Sequence, residues 1–211
     1  MKKTNKGTIW NALGSTMYGA NSFVMLAFVS RVGTVEQAGY FGIAFTTAQL
    51  LYILGLFGAS HYQMTDYSEK YNFSEYAKLR FISCIFVCLA CALSITCLGF
   101  SGEKRIYTIA LTVLMLLNVV GELYQCLFFQ KNRLDLSGSA LFFRTFWSLT
   151  AFCICLSLTR NVILSICLQI TTNLLVTLYY IARIAPAFIL QSKDEKSANN
   201  VLSLMKECLP L

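Results

Sequence analysis

The chain has 211 residues, of which 56% are hydrophobic and only 13% are charged. In soluble domains roughly a quarter of the residues are charged, so this composition cannot cover the surface of a soluble fold of this size. It also argues against disordered proteins, disulfide-stabilised secreted domains and nucleic-acid-binding domains. The net charge of +7 then indicates cationic loops beside a membrane. We therefore expect an all-α, polytopic membrane helix bundle without a nucleic-acid partner.

Six stretches are long and apolar enough to cross a bilayer, which takes about 20 residues each. The predicted spans are 8–30, 38–60, 81–100, 106–130, 136–158 and 162–185. Lys and Arg concentrate at the N-terminus, in every second loop and after the last span, so the positive-inside rule predicts that both termini are cytoplasmic. The longest loop, 61–80, is predicted to form an amphipathic interfacial segment.

The sequence carries no pattern typical of a cofactor site or of catalysis. Its nine cysteines lie almost entirely in apolar stretches, and its one histidine is His61. Small packing residues explain these cysteines better than a metal site does. A phosphate-binding loop and a Ser/His/Asp constellation are also missing from the sequence. We expect a protein that is not an enzyme and that needs neither a cofactor nor a metal.

Two ionisable residues fall inside predicted spans, where charge is costly and therefore points to function. Glu122 precedes the turn near Arg133 by the same number of residues as Arg144 follows it. At about 1.5 Å per residue, both lie roughly 16 Å from the turn, so the hairpin can bring them together as an ion pair. Such a pair could lock two helices, or one or both residues could line an aqueous cavity.

Polar residues recur at helical spacing on four of the predicted spans, and such stripes indicate either interhelical hydrogen bonds or a shared wet cavity. Because four helices carry them, we favour the cavity. Its predicted lining residues are Asn11 and Tyr18 in span one, Asn118 and Gln125 in span four, and Gln169 and Asn173 in span six.

Several segments, taken in order, resemble a known family of transporters. They include Gln37-Ala38-Gly39-Tyr40-Phe41-Gly42, Tyr62-Gln63-Met64-Thr65-Asp66, Glu122-Leu123-Tyr124-Gln125, Gln130-Lys131-Asn132-Arg133-Leu134-Asp135, Arg144 and Lys206-Glu207-Cys208-Leu209-Pro210-Leu211. Their order and spacing resemble the N-terminal half of the Wzx-type lipopolysaccharide and polysaccharide (O-antigen) flippases. That family belongs to the multidrug/oligosaccharidyl-lipid/polysaccharide exporter superfamily.

The resemblance implies a multi-pass protein of the bacterial inner membrane. Its relatives use two six-helix lobes and alternating access to move undecaprenyl-pyrophosphate-linked oligosaccharides to the periplasmic leaflet, for O-antigen or capsular polysaccharide synthesis. Residues 1–190 would form one lobe, 191–200 a polar cytoplasmic linker, and 201–211 the start of a truncated seventh helix. The implied partners are the lipid-linked oligosaccharide, membrane lipids and a second six-helix lobe, which is either a missing C-terminal half or a second copy.

Under this resemblance, Arg144 and Arg31 are expected to contact the phosphate or head group of the substrate. Glu122 and Asp66 are expected to serve in ion coupling or gating, and Arg80 to anchor the bundle at the membrane interface. Two alternatives stay open at this point. The chain could be a truncated helical membrane protein that transports nothing, or a small oligomeric permease or channel.

Overall fold

A computed structural model of the chain describes residues 2–189 and 201–208, and within them it contains only helices. These are α1 (Lys2–Val32), α2 (Val35–Leu56), α3 (Ala59–Thr65), α4 (Phe73–Cys97), α5 (Gly102–Gln130), α6 (Leu134–Thr159), α7 (Val162–Arg183), α8 (Pro186–Ile189) and α9 (Val201–Cys208). Six of them, α1, α2 and α4 to α7, are long and apolar enough to cross a membrane. The predicted all-α membrane bundle is confirmed. The predicted linker 191–200 and residues 209–211 lie outside the described residues.

Two predicted span boundaries differ from the structure, because left-handed backbone angles and helix capping, rather than hydrophobicity, decide where these helices end and begin. The second span ends at Leu56, since Phe57 and Gly58 both adopt left-handed backbone angles and α3 begins a new direction. The third span begins at Phe73 rather than 81. There Asn72 caps the helix reciprocally with Glu75, a capping box that satisfies two backbone N–H groups. The loop predicted to be interfacial therefore contributes its last eight residues to α4.

The core of the bundle forms where five long helices meet. Helix α1 packs mainly on α6, α2 on α5, and α7 on α6. Their shared apolar cluster includes the fully buried side chains of Met25, Phe41, Leu111, Phe152 and Ile166. Helix α4 lies at the edge of this cluster, which it touches through Cys84, and it packs mainly on α2 and α5 through a smaller cluster around Val87. This arrangement leaves α1, α2, α5, α6 and α7 to enclose the interior of the bundle.

Helices α1 and α6 approach each other closely because two glycines remove side chains from their interface. A Cβ atom added at Gly138 would overlap the main chain of Trp10 and Asn11. A Cβ atom added at Gly14 would in turn run into the carbonyl oxygen of Gly138. Small residues allow this kind of backbone contact in membrane bundles, where dispersion forces between helices drive association. The contact holds the first half of α1 against the first half of α6.

Arg80 is buried within the bundle, so the prediction that it anchors the protein at the interface is wrong. Its guanidinium donates to the carbonyl oxygens of Gly55 at 3.1 Å and Leu56 at 2.8 Å, and also to the hydroxyl of Ser60. These carbonyls belong to the last turn of α2, where the helix leaves acceptors unpaired and its dipole favours a cation. Arg80 therefore joins α4 to the break between α2 and α3.

Helix α9 docks on α3, α4 and the loop between them. Leu204 and Cys208 enter an apolar cluster with Tyr71, Tyr76 and Leu79. The carboxylate of Glu207 accepts a hydrogen bond from the Tyr62 hydroxyl and pairs with Lys70 Nζ at 2.6 Å. The hydrogen bond from Lys70, followed by that from Tyr62, lowers the pKa of Glu207 below its ordinary value.

The glycine contact gives a direct test of the α1–α6 packing. Gly138→Ala should destabilise the bundle by about 1–3 kcal/mol, because α1 must move away to admit the methyl group. Gly19→Ala is the matched control in α1, since a Cβ atom there meets no atom within 4 Å. The control should be neutral or slightly stabilising, because alanine is the better helix former. Unfolding of the purified chain in detergent measures both, and equal stabilities would refute the contact.

Docking of α9 should depend on the charge of Glu207. Because the folded-state pKa of Glu207 is lowered, its contribution is present above the ordinary pKa of glutamate and is lost as the pH falls through the lowered value. Hydrogen exchange of the α9 backbone should therefore accelerate on acidification, and Glu207→Gln should show fast exchange already at neutral pH. Exchange in Glu207→Gln that matches the wild type would show that apolar packing alone holds α9.

Candidate functional site

A polar cavity of about 270 Å³ lies among α1, α2, α5 and α6, with one residue of α3 at its wall. It sits towards the end of the bundle where α1 begins, α5 ends and α6 begins. Its lining residues are Asn11, Ser15, Tyr18, Tyr52, Met64, Glu122, Gln125, Phe129, Ser137, Leu141 and Arg144. The two charged residues of the predicted α5–α6 hairpin thus line the same space, together with Asn11, Tyr18 and Gln125.

Arg144 is the most buried charge of this cavity, with 4% of its surface exposed. Its guanidinium lies against Gly121 of α5, and a Cβ atom there would occupy the position of the guanidinium itself. Among the residues that the structure describes, none accepts a hydrogen bond from Arg144 and none forms an ion pair with it. A guanidinium carries five N–H donors, so a buried one without an acceptor is costly.

Glu122 points to α2 rather than to Arg144. Its carboxylate accepts a hydrogen bond from the hydroxyl of Tyr52, whose ring lies 6.3 Å from that of Tyr18 in α1. The ion pair that the sequence suggested between Glu122 and Arg144 is therefore absent, although their charges still attract each other at longer range. The physical reason is that Gly121 admits the guanidinium against the α5 backbone, while Tyr52 satisfies the carboxylate on the other side.

Three residues predicted to line the cavity lie in a separate layer of interhelical hydrogen bonds. Asn173 Nδ2 of α7 donates to Asn118 Oδ1 of α5 at 3.1 Å. Gln169 Nε2, also of α7, lies 3.3 Å from Met25 Sδ of α1. All three amides are buried. Asn118, Gln169 and Asn173 therefore connect helices and do not line the cavity.

Arg31 lies at the opposite end of the bundle from the cavity. It is exposed in the last turn of α1, 13 residues beyond Tyr18, which corresponds to about 20 Å along the helix axis. The structure thus does not bring Arg31 together with Arg144 in one site. A single head group held by Arg144 would be out of reach of Arg31 in this conformation.

Asp66 is placed outside the cavity, in the loop after α3. Its carboxylate accepts hydrogen bonds from the Ser68 hydroxyl, the main-chain N–H groups of Lys70 and Tyr71, and the Tyr76 hydroxyl, at 2.9–3.3 Å. Four donors on one buried carboxylate fix the loop around it. Its role in ion coupling or gating stays a prediction, whereas its contacts organise the α3–α4 loop.

Two residues of the cavity wall that the sequence analysis did not predict connect further helices to the site. Tyr52 holds Glu122, and Met64 brings α3 into the site. Tyr52 lies about one helical turn after Gln49, a polar residue of the second span, and this spacing is the signal that could have revealed it. Met64 carries no comparable signal, because its place depends on the left-handed backbone break at Phe57 and Gly58.

The fold and the cavity together define a multi-pass helical membrane protein with a polar, charged interior site. Within the described residues, no group of three His, Cys, Asp or Glu side chains is placed to hold a metal ion. Comparisons of the chain with models of protein families, with curated proteins and with solved structures find no match in any of the three.

Replacing Arg144 by methionine tests whether Arg144 is a buried cation without a partner or an electrostatic lock between α5 and α6. If Arg144 is a buried cation without a partner, Arg144→Met should stabilise the bundle by about 1–4 kcal/mol, because an apolar chain of similar length removes the desolvation cost. Glu122 keeps its hydrogen bond from Tyr52 in this variant. The free energy of unfolding in detergent measures the effect, with Arg160→Met at an exposed position as the control. A loss of stability confined to Arg144→Met would instead identify an electrostatic lock between α5 and α6.

Proposed function

We propose that the chain is one lobe of a membrane transporter that moves a lipid-linked oligosaccharide across the bacterial inner membrane. The observation that carries the proposal is the unpaired guanidinium of Arg144 at the wall of a polar cavity inside a six-span bundle. Ionisable groups inside membrane bundles typically mark ligand or ion pathways. The motif resemblance to the Wzx-type flippases supports the same substrate class, a polyprenyl-pyrophosphate carrying sugars.

The chemistry of the cavity suits a phosphorylated sugar head group. The planar fork of Arg144 matches two oxygens of a phosphate, which would supply the acceptors that the protein itself does not. Amides and hydroxyls around it, from Asn11, Ser15, Gln125 and Ser137, can pair with sugar hydroxyl groups. Arg144 therefore acts as the phosphate contact in this proposal, and the neighbouring polar groups act as sugar contacts.

The size of the cavity supports a site that is completed by a second lobe. Ligand pockets commonly measure 300–1,000 Å³, whereas this one measures about 270 Å³. A pyrophosphate with several sugars is larger than that, so this chain would enclose only part of the head group. A second six-helix lobe, either a further part of the protein or a second copy, would enclose the rest and allow alternating access.

Glu122 is suited to couple an ion to transport in this proposal. Its carboxylate shares the cavity with Arg144 but is held by the neutral hydroxyl of Tyr52. A phosphate bound to Arg144 would repel the carboxylate of Glu122, and a coupling ion would offset this repulsion. With both termini cytoplasmic, as the loop charges predict, the cavity lies in the cytoplasmic half of the membrane, where the substrate is loaded.

Binding of a pyrophosphate-linked sugar should depend on Arg144. The probe is a short-chain polyprenyl-pyrophosphate disaccharide, titrated against the purified full chain in detergent by calorimetry. Losing hydrogen bonds to a charged group costs about 1.5–3 kcal/mol, so Arg144→Met should weaken binding tenfold or more. Arg144→Lys should retain part of the affinity, and Arg160→Met should bind as the wild type does.

Transport itself is measured in proteoliposomes as transfer of a fluorescent version of the same lipid between leaflets. Where a second copy supplies the other lobe, the wild-type chain should accelerate transfer over empty vesicles, and Arg144→Met should not. Equal binding of the probe by the wild type and Arg144→Met would refute the proposal. Binding that depends on Arg144 without any transfer would indicate that the second lobe is required. Transfer of small ions without binding of the probe would favour an oligomeric permease.

A further inference from the structure

A second, apolar groove runs between α4 and α5 and shares no residue with the Arg144 cavity. It measures about 480 Å³. Small side chains of α4, Cys88 and Ala92, form one wall, and Ile109 and Val113 of α5 form the other. Its floor is closed where Cys91 Sγ approaches Thr112 Oγ1 at 3.4 Å. The four wall residues are exposed, so the groove opens sideways from the bundle towards lipid.

The groove extends over the depth of one membrane leaflet. It runs along α5 from Arg105, in the first turn, to Leu116, near the middle of this 29-residue helix. Eleven residues of helix span about 16 Å. Half the hydrocarbon thickness of a bilayer is about 15 Å. A partner helix that crossed the membrane would need a groove along the whole of α5, whereas a single acyl chain needs only this half.

A positive charge stands at the outer end of the groove. Arg105 is exposed, and it forms no ion pair within the part of the chain that the structure describes. Its neighbours are engaged elsewhere, since Glu103 accepts a hydrogen bond from the Tyr107 hydroxyl at 3.0 Å and Lys104 lies 4.0 Å over the ring of Phe100. Arg105 is therefore the charged group that can contact a ligand bound in the groove at the membrane surface.

We propose that this groove binds an anionic phospholipid, with one acyl chain between α4 and α5 and the phosphate on Arg105. The length of the groove fits a chain confined to one leaflet, and its apolar walls fit hydrocarbon. The guanidinium at its end fits a phosphate at the level of the head groups. The inference depends on the membrane-spanning fold and is independent of the transport function proposed for the other cavity.

Native mass spectrometry of the full chain tests this site directly. The delipidated chain in detergent is titrated with phosphatidylglycerol and, separately, with phosphatidylcholine of the same palmitoyl and oleoyl chains. The first lipid adduct should form with phosphatidylglycerol at several-fold lower concentration. Arg105→Gln should weaken it roughly fivefold, the change expected for one basic residue near anionic lipid. Arg160→Gln removes the same charge from an exposed position outside the groove and should leave the adduct unchanged.

Filling the groove tests where the acyl chain lies. Ala92→Phe and Val113→Phe fill it from opposite walls, and each should abolish the preferred adduct while the variant stays monodisperse in detergent. If one variant fails to fold, the other carries the test. Equal losses in Arg105→Gln and Arg160→Gln, or an adduct that survives both phenylalanine variants, would refute the site. Displacement by an uncharged polyprenol at lower concentration than phosphatidylglycerol would also refute it, because the occupant would then be a different lipid.

Discussion

The buried guanidinium of Arg144 constrains the structure around the cavity, because no described residue accepts a hydrogen bond from it. Burying an unpaired cation costs several kcal/mol, and a bundle tolerates it only if polar groups and space surround it. Gly121 provides the space on α5, because any side chain there would displace Arg144. The polar residues of α1 provide the surroundings, and the Gly14–Gly138 contact holds that part of α1 next to α6. The cavity is thus a consequence of where these glycines and this arginine lie.

Much of this arrangement could be predicted from the sequence, since it depends on spacing along single helices and across one hairpin. The six spans follow from hydrophobic length, and Glu122 and Arg144 line one cavity as their equal distance from the turn suggests. Helical spacing also selected Asn11, Tyr18 and Gln125. These features need only the rise per residue and the period of a helix.

The rest could not be predicted, because it depends on how each helix is rotated and on what its neighbours offer. Asn118 shares a stripe with Glu122 and Gln125 of the cavity, yet it faces Asn173 of α7 and pairs with it. In the sequence, Arg80 resembles an arginine at the membrane interface. In the structure, α2 ends at the break at Phe57 and Gly58, and carbonyl groups of its last turn accept hydrogen bonds from Arg80. Glu122 pairs with Tyr52 rather than with Arg144, because the Tyr52 hydroxyl of α2 lies next to the Glu122 carboxylate of α5. A polar side chain predicts only that a partner or water is needed, and the tertiary fold decides which.

The short helix α3 connects the parts of the molecule that would have to move together in a transporter. Met64 lines the cavity, and Gln63 donates to the carbonyl oxygen of Leu123 on α5 at 3.4 Å. On its other side, Tyr62 holds Glu207 of α9. A displacement of α9 therefore pulls on a seven-residue helix that also forms part of the cavity wall. Because Arg80 and Ser60 fix the start of α3 to the end of α2, such a pull would tilt α3 about that point and change the cavity at Met64.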